Sequence, residues 1–318
     1  MSVLILARDL DADADEMVTA LRERNAETWR VNTAWFPCEL SVTAALRNGR
    51  WSGYVHTPAH SVELDEIHAV WYRSPEAYNM PAELSEAERQ HCLREAKYGL
   101  GGVLASLPVL WINHPSRLAD CAYKPLQLVR AQQCGLRVPD TMITNEPESV
   151  RLFASGGRTV TKLMGANTIS EEGCRKLSWT RVLGQDDLDD LRGLDVTCHL
   201  VQRWVPKSFE VRAVVIADRI TTVRINAGSG ASYIDWRSDY AALTYELIEP
   251  PDYVVQGIHA LMRSFDLVYG ALDFIVISDD DWIFLELNAG GQYGWLEVAT
   301  GVPLTGYLAD LLAKESPS

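Results

Sequence analysis

Near its carboxyl end the chain carries two short apolar runs, Ala271–Ile277 and Trp282–Leu287, on either side of the polar segment 278–281. Runs of β-forming residues that flank a cluster of aspartates predict a β-hairpin. A hairpin limits side-chain direction strictly, because alternate residues of a strand point to opposite faces of its sheet. The pattern therefore determines which polar side chains of this region can meet.

Three oxygen-bearing side chains lie on this predicted hairpin. Asp273 is within the first strand, and Glu286 and Asn288 end the second, two residues apart and hence on one face. A turn around residues 279–280 places Asp273 opposite them. For each residue alone, a polar strand end is the simpler explanation, but a carboxylate in apolar surroundings needs a compensating cation or donor. Together they predict a Mg²⁺ site, because Mg²⁺ takes one or two carboxylates plus water and nucleotide phosphates.

The composition is that of a globular protein with a large core. The chain has 318 residues, of which 47% are hydrophobic and 23% charged, enough for two or three domains. A net charge of −14 argues against a nucleic-acid partner, which would require a basic surface. Many aromatic residues are consistent with a homodimer as well as with ordinary packing.

Cysteine spacing and hydropathy indicate the compartment. The six cysteines contain no C-x-x-C pair, so neither a zinc site nor a disulfide framework is predicted. The first residues lack a basic region and become acidic at once, unlike a signal peptide. No apolar run approaches the roughly 20 residues of a membrane span. We expect a reduced, cytoplasmic protein without a membrane partner.

Alternating strand and helix patterns predict an open α/β domain over residues 1–112. No G-x-G-x-x-G follows the first strand, which excludes the dinucleotide-binding fingerprint. Long helices are predicted over Ser85–Ser106 and Asp120–Cys134. We divide the remainder into a central lobe, residues 113–200, and a carboxyl-terminal lobe, residues 201–318.

Between these lobes the sequence offers further polar candidates. Lys124 falls in the first turn of a predicted helix, and Lys162 lies on an alternating β-rich run. Glu210 and Arg212 share one face of a strand that follows the linker 202–207. A lone lysine or arginine is usually solvated, so each candidate gains meaning only from its neighbours in the fold.

The order of these candidates resembles that of ATP-grasp ligases, over roughly residues 113–300. The resemblance implies a fold of mixed α/β and α+β type, in which two α+β lobes sandwich ATP behind an amino-terminal α/β domain. It also implies that Lys124 and Lys162 bind phosphates, that Glu210 binds the ribose, and that Mg²⁺ lies between the hairpin residues Asp273, Glu286 and Asn288. The residues that it places at the adenine are Gln202, Arg203, Trp204 and Val205.

A narrower likeness rests on two segments, QRWVPKSFEVR from Gln202 and LELNAGGQYGWLE from Leu285, with Asp-Trp-Arg between them. These segments are similar to the graspetide synthetases, ATP-grasp maturases that make microviridin-like peptides. The likeness implies a ribosomal precursor peptide, with leader and core, whose Asp or Glu side chains are joined to Thr, Ser or Lys through an acyl phosphate. We expect Arg212 to hold the acceptor carboxylate and Arg237 to contact the core.

Three matters stay open at this point. The acidic stretch Asp186–Asp190 is either a leader-binding surface or a solvated turn. A ligase of free amino acids or small peptides could share the same fold. A nucleotide- or peptide-binding module without chemistry is a further alternative, although such a module has no physical need for both lysines and all three metal ligands.

Overall fold

The computed structural model describes residues 2–165, 168–171 and 174–314, which contain both strands and helices. The strands are β1 (Ser2–Ala7), β2 (Glu27–Val31), β3 (Ser41–Arg47), β4 (Arg50–His56), β5 (Ser61–Glu63), β6 (Ile67–Ser74), β7 (Leu110–Ile112), β8 (Thr141–Thr144), β9 (Thr159–Lys162), β10 (Thr168–Glu171), β11 (Cys174–Leu177), β12 (Arg181–Val182), β13 (His199–Arg203), β14 (Phe209–Ile216), β15 (Arg219–Ala227), β16 (Leu243–Leu247), β17 (Tyr269–Ser278) and β18 (Asp281–Asn288). The helices are α1 (Ala12–Glu23), α2 (Glu86–Tyr98), α3 (Leu100–Ala105), α4 (Pro115–Cys121), α5 (Lys124–Gln133), α6 (Pro147–Ser155), α7 (Gln185–Asp189), α8 (Gly230–Ile234), α9 (Asp252–Ser264), α10 (Gly294–Thr300) and α11 (Leu304–Leu312). Within the described ranges, no helix combines the length and the apolar character that crossing a bilayer requires.

The described residues form two compact units. The first comprises the chain up to Ala119, the short segment Asp266–Gly270, and the chain from Ala289 onwards. The second comprises Asp120–Phe265 and Ala271–Asn288. The predicted three-way division at residues 112 and 200 stays a prediction.

The first unit is built on a parallel sheet of strand order β2-β1-β6-β7. All six residues of β1 are buried, as expected for a parallel strand that is covered on both faces. Leu4 and Leu6 belong to a core that also contains Val55 and Val62 of the antiparallel sheet β3-β4-β5. The open α/β domain predicted for this end of the chain is therefore confirmed.

The two helices predicted over Ser85–Ser106 and Asp120–Cys134 are largely helical, but each is interrupted once. The first break lies at Gly99, between α2 and α3, where an added Cβ would come within 2.9 Å of the Glu95 carbonyl oxygen. The second lies before Lys124, where α5 begins with Pro125 in its first turn. Proline is tolerated in a first turn but not in a helix interior, because it has no N–H and clashes with the preceding turn.

One buried side chain joins distant segments of the first unit. Asn113 Nδ2 donates to the carbonyl oxygens of Tyr269 and Ala289, at 2.7 and 2.8 Å. Its Oδ1 accepts from the amides of Val268 and Tyr269, at 2.8 and 3.1 Å. Asn113 is only 2% exposed, and three of the four bonds are buried, whereas the bond from the Val268 amide is partly buried. Asn113 therefore ties the segment 266–270 and Ala289 to the end of β7 within the first unit.

The second unit contains a four-stranded sheet of order β12-β9-β13-β8 and a five-stranded sheet of order β16-β15-β14-β17-β18. The pairs β17–β18 and β14–β15 are antiparallel hairpins, as their alternating patterns predict. Helix α5 lies against the edge strand β18 through Gln127. The side chain of Gln127 exchanges both backbone hydrogen bonds with Leu287, donating and accepting at 2.8 Å, so this strand edge is satisfied without another strand.

Candidate active site

The β17–β18 hairpin brings two carboxylates face to face. Asp273 and Glu286 are direct partners in its register, and Asn288 pairs with Ala271 one step further along the same face. Strand alternation therefore delivers the arrangement that the sequence predicted, with Asp273 only 4% exposed. Next to this pair, a β-bulge between Asp273 and Phe274 changes the direction of the strand.

Arg212 of β14 compensates the first of these carboxylates. Its Nη1 lies 2.9 Å from Oδ1 and 3.2 Å from Oδ2 of Asp273, and both side chains are buried. Burial raises the pKa of Asp273 above its usual range, and the nearby guanidinium of Arg212 offsets that rise only in part. The two residues form a buried pair whose removal from one side would leave an uncompensated charge.

Two different cations hold the two oxygens of Glu286. Lys124 Nζ is 2.9 Å from Oε2, and Arg237 Nη1 is 3.1 Å from Oε1. Burial alone would raise the pKa of Glu286, but Lys124 and Arg237 outweigh it and hold that pKa well below its usual range. Lys124 also donates to the Leu163 carbonyl oxygen at 2.9 Å, which fixes its position next to β9.

Arg237 is itself aligned by Asp235, a residue that the sequence analysis missed. Arg237 Nε and Nη2 lie 2.9 and 3.1 Å from the two carboxylate oxygens of Asp235. The backbone amide of Thr180 donates to Asp235 Oδ2 at 3.0 Å. Burial would lower the pKa of Arg237, but Asp235 and Glu286 raise it, so the guanidinium stays charged. The sequence offered one indication of this pair, the Asp-x-Arg spacing, because an aspartate and an arginine two residues apart can form a two-pronged ion pair.

Beside this cluster lies the β13–β14 linker, from which the adenine contacts were predicted. Gln202 is buried, and its Nε2 donates to Thr141 Oγ1 at 2.8 Å. The guanidinium of Arg203 turns towards Phe153, whose ring it covers at 4.5 Å and whose carbonyl oxygen accepts from its Nη2 at 3.0 Å. Trp204 lies under the guanidinium of Arg158, 4.5 Å from the ring centroid.

Two adjoining cavities collect most of the predicted residues. The cavity at the hairpin is lined by Lys124, Lys162, Glu210, Arg237, Asp273 and Glu286, among others. The cavity at the linker is lined by Gln202, Arg203, Trp204, Val205 and again Lys162, Glu210 and Arg237. Arg212 and Asn288 line neither cavity, although Arg212 reaches the site through Asp273. Burial lowers the pKa of Lys162, although the nearby negative charges of Glu286 and Glu210 oppose part of this decrease.

The donor set around the hairpin suits a hard divalent cation. Over the described ranges, no group of three or more His, Cys, Asp and Glu residues is close enough to hold a metal ion. Asp273 and Glu286 provide two carboxylates, and the amide oxygen of Asn288 adds a third hard donor on their face. Mg²⁺ needs no more protein ligands than these, because it keeps water and phosphate oxygens in its remaining positions. These donors are of the type that Mg²⁺ prefers, and in this structure both carboxylates are paired with basic side chains, Asp273 with Arg212 and Glu286 with Lys124 and Arg237.

Comparison with known proteins gives consistent matches. Residues 2–119 match the family model of the MvdD pre-ATP grasp domain. No curated protein sequence matches the chain.

Several solved structures match along the whole chain. The macrocyclase MdnC bound with the precursor peptide MdnA, from Microcystis aeruginosa, is 29% identical with a TM-score of 0.86, covering 98% of this chain and 99% of its own. A Chryseobacterium gregarium RiPP-associated ATP-grasp ligase, in complex with ADP and a leader and core peptide, is 27% identical with a TM-score of 0.88, covering 100% and 98%. The macrocyclase MdnB from Microcystis aeruginosa is 26% identical with a TM-score of 0.81, covering 98% of each chain.

Proposed function

Because this chain has the ATP-grasp fold and belongs to the ATP-grasp ligases of ribosomal precursor peptides, we propose that it is a macrocyclising ligase. In this proposal it joins Asp or Glu side chains of a precursor peptide to Thr or Ser hydroxyls, or to Lys amines, at the expense of ATP. The enzyme class is that of an ADP-forming ligase. The substrate peptide and both linkage types belong to the proposal.

The observation that carries the proposal is the charge arrangement at the hairpin. Two opposed carboxylates, Asp273 and Glu286, share one cavity with Lys124, Lys162 and Arg237. Phosphoryl transfer requires positioning and charge neutralisation more than covalent help from the protein. A cluster of both signs meets that requirement, because its cations can bind phosphate oxygens while its carboxylates hold a metal ion.

The reaction has two steps that balance. The γ-phosphoryl group of ATP passes to a carboxylate oxygen of the peptide, which gives an acyl phosphate and ADP. A hydroxyl or amine of the same peptide then attacks the acyl carbon, the carbon–oxygen bond to phosphate breaks, and inorganic phosphate leaves with the proton. Each ring therefore costs the peptide one molecule of water. Activation is needed because a carboxylate is a poor acyl donor in water.

Each predicted residue has a part in these steps. Lys124 and Lys162 bind the phosphates, and Glu210 binds the ribose. Asp273, Glu286 and Asn288 would hold Mg²⁺, which neutralises phosphate charge when bound. The residues that surround the adenine are Gln202, Arg203, Trp204 and Val205.

The two arginines act on the peptide. Arg212 holds the acceptor carboxylate and stabilises the oxyanion that forms on attack, since a planar guanidinium matches both carboxylate and phosphate geometry. Arg237 contacts the core peptide. Its bond to Glu286 supports this role, because it brings a permanently charged group to the edge of the same cavity.

A leader segment is proposed to bind at α7. The residues 186–190 lie beside a cavity of about 250 Å³, which is lined by Val150, Leu183, Leu191, Leu194 and Val201 as well as by Asp187 and Asp190. Within the described ranges, Asp187 pairs with Arg181 and Asp190 with Arg192, whereas Asp186 has no ion-pair partner. The rim of this cavity carries Arg192 and His199 besides the two paired aspartates, so an amphipathic segment would place apolar side chains against the cavity and a basic side chain beside Asp186. The bound peptides of the MdnC and Chryseobacterium ligase structures support a peptide ligand in general.

The proposal is tested by incubating the protein with ATP, Mg²⁺ and short Thr- and Asp/Glu-rich peptides encoded beside its gene. We expect loss of one water per ring by mass spectrometry, with one ADP released for each ring. Arg212→Ala should abolish ring formation while ATP binding remains. The double variant Asp273→Asn, Glu286→Gln should lose metal-dependent ADP release.

Three outcomes would count against the proposal. Unmodified peptide together with ligation of free amino acids would favour the small-molecule ligase. Nucleotide binding without any ADP release would favour a non-catalytic module. Normal cyclisation by Arg212→Ala would remove Arg212 from the mechanism.

A further inference from the structure

Lys207 is a buried lysine to which the proposed reaction assigns no part. It lies on the linker between β13 and β14, and its side chain is only 3% exposed. Its Nζ is 2.5 Å from Oε1 of Glu210, whose side chain is 9% exposed. Burying a lysine is costly unless its charge is paired, and here the carboxylate of Glu210 supplies that pairing.

Aromatic rings fix the ammonium group from other sides. Lys207 Nζ lies 5.4 Å from the ring centroid of Tyr233 and 5.8 Å from that of Trp204. The hydroxyl of Tyr233 donates to the Lys207 carbonyl oxygen at 3.1 Å. Both the backbone and the charged end of Lys207 are therefore held in place, because the cation–π contacts add to the ion pair with Glu210.

This arrangement makes the two oxygens of Glu210 different from each other. Oε1 accepts from Lys207, and within the described ranges Oε2 has no hydrogen-bond partner. Glu210 lines both cavities of the site, and Lys207 lines the cavity at the linker. A carboxylate with one oxygen tied down presents the other in a fixed direction, which suits recognition of a hydroxyl that donates a hydrogen bond.

We propose that Lys207 is a positioning residue that aims Glu210 at a ribose hydroxyl, so that the preference for ribonucleotides over deoxyribonucleotides depends on a lysine that does not touch the sugar. The inference rests on the nucleotide site of the proposed function. It extends that function by naming the residue that sets sugar specificity. A freely rotating Glu210 would lose much of the discrimination while still tolerating the nucleotide.

The test compares the dissociation constants of ADP, 2′-deoxy-ADP and 3′-deoxy-ADP, measured by calorimetry without peptide. The wild type should bind ADP about tenfold more tightly than at least one deoxy analogue, the typical effect of one hydrogen bond to a charged group. In Lys207→Met this ratio should fall towards one, chiefly through weaker ADP binding. Lys207→Arg, which keeps the charge, should restore part of the ratio, whereas Lys97→Met on the other unit should leave it unchanged.

A double-variant cycle separates positioning from general damage. If Lys207 acts through Glu210, the pair Lys207→Met, Glu210→Gln should show the same sugar ratio as Glu210→Gln alone. Equal weakening of all three nucleotides by Lys207→Met would overturn the inference. If that variant fails to fold, Lys207→Gln shortens the side chain and removes the charge that holds Glu210 Oε1, and an unchanged sugar ratio in Lys207→Gln would equally count against the inference.

The same measurements distinguish this inference from the proposed function. Tight nucleotide binding without sugar discrimination would refute the role of Lys207 and leave the ligase proposal intact. Discrimination that collapses in Lys207→Met, in a protein that never cyclises a peptide, would support the inference and refute the proposed reaction. A wild-type protein that binds no nucleotide would overturn both.

Discussion

Arg237 shares its guanidinium between two carboxylates, and the sharing is unequal. Asp235 takes Nε and Nη2 in a two-pronged pair, which leaves Nη1 to reach Glu286. Asp235 is 4% exposed and is held in turn by the Thr180 amide. The direction of Arg237 is therefore set by Asp235, much as an outer ligand sets the orientation of an inner one.

We expect Asp235→Asn to reduce ring formation by about tenfold to hundredfold, because a small misplacement of a substrate-binding arginine is costly. The asparagine keeps the shape of the side chain but loses one charged acceptor. ATP binding should change much less than the rate with peptide. Single-turnover assays with precursor peptide give the rate, and Asp218→Asn at the β14–β15 turn is the control. Unchanged turnover would show that Arg237 needs no such support.

Lys162 predicts a pH dependence of nucleotide use. Burial lowers its pKa, so as the pH rises the ammonium loses its charge earlier than the pKa of about 10.4 of a free lysine allows. The sign follows: kcat/KM for ATP, which reports on the free enzyme, should fall as the pH rises through that lowered pKa. Lys162→Arg keeps its charge throughout and should abolish this alkaline fall. An identical pH profile in the two proteins would exclude Lys162 as the titrating group.

At the scale of elements, side-chain hydrogen bonds from helix α5 fix it against strand β18. Gln127 Nε2 donates to the carbonyl oxygens of Leu287 and Cys121, at 2.8 and 2.6 Å, and its Oε1 accepts from the Leu287 amide. Leu287 follows Glu286 directly, and Lys124 precedes Gln127 by one helical turn. The docking of this helix thus brings the Lys124 ammonium to the Glu286 carboxylate.

Gln127→Leu should lower the free energy of unfolding by about 2–4 kcal/mol, because it leaves buried backbone groups of Leu287 and Cys121 without partners. The same change should raise KM for ATP, since Lys124 loses its fixed place. Urea denaturation and steady-state kinetics measure the two effects. Gln132→Leu, an exposed position on the same helix, is the matched control. Equal stability of both variants would contradict the docking argument.

The hairpin was predictable from sequence, whereas its surroundings were not. The opposition of Asp273 and Glu286 follows from strand alternation and one turn, which are local properties. The Lys124–Glu286 contact depends on the packing of helix α5 against β18, where Gln127 binds Leu287, a residue 160 positions later in the chain. Asp235 likewise depends on an amide 55 residues distant. Periodicity carries no information about such pairings, so the residue roles beyond the hairpin were reached only through resemblance.

At the scale of the molecule, the chain passes between its two units more than once. The first unit is completed by Asp266–Gly270 and by the chain from Ala289, which enclose the hairpin in sequence. The break of the predicted helix 120–134 at Ala122 and Tyr123 falls close to the first passage. Such an interleaved path cannot be read from composition, because no linker-like stretch marks the later passages.

Asn113 should control how firmly the returning segment is held in the first unit. In Asn113→Ala the amides of Val268 and Tyr269 lose their acceptor, and the Tyr269 and Ala289 carbonyl oxygens lose their donor. Because a buried unpaired group costs about 1–3 kcal/mol, the amides of 266–270 should exchange with deuterium about tenfold or more faster. Mass spectrometry of peptides covering 266–270 measures this rate, with peptides from β14 and the exposed Asn145→Ala variant as references.

Faster exchange confined to 266–270 would show that Asn113 holds this segment locally. Uniformly faster exchange over both units would instead show that the side chain supports the fold as a whole, and unchanged exchange would refute the proposed role.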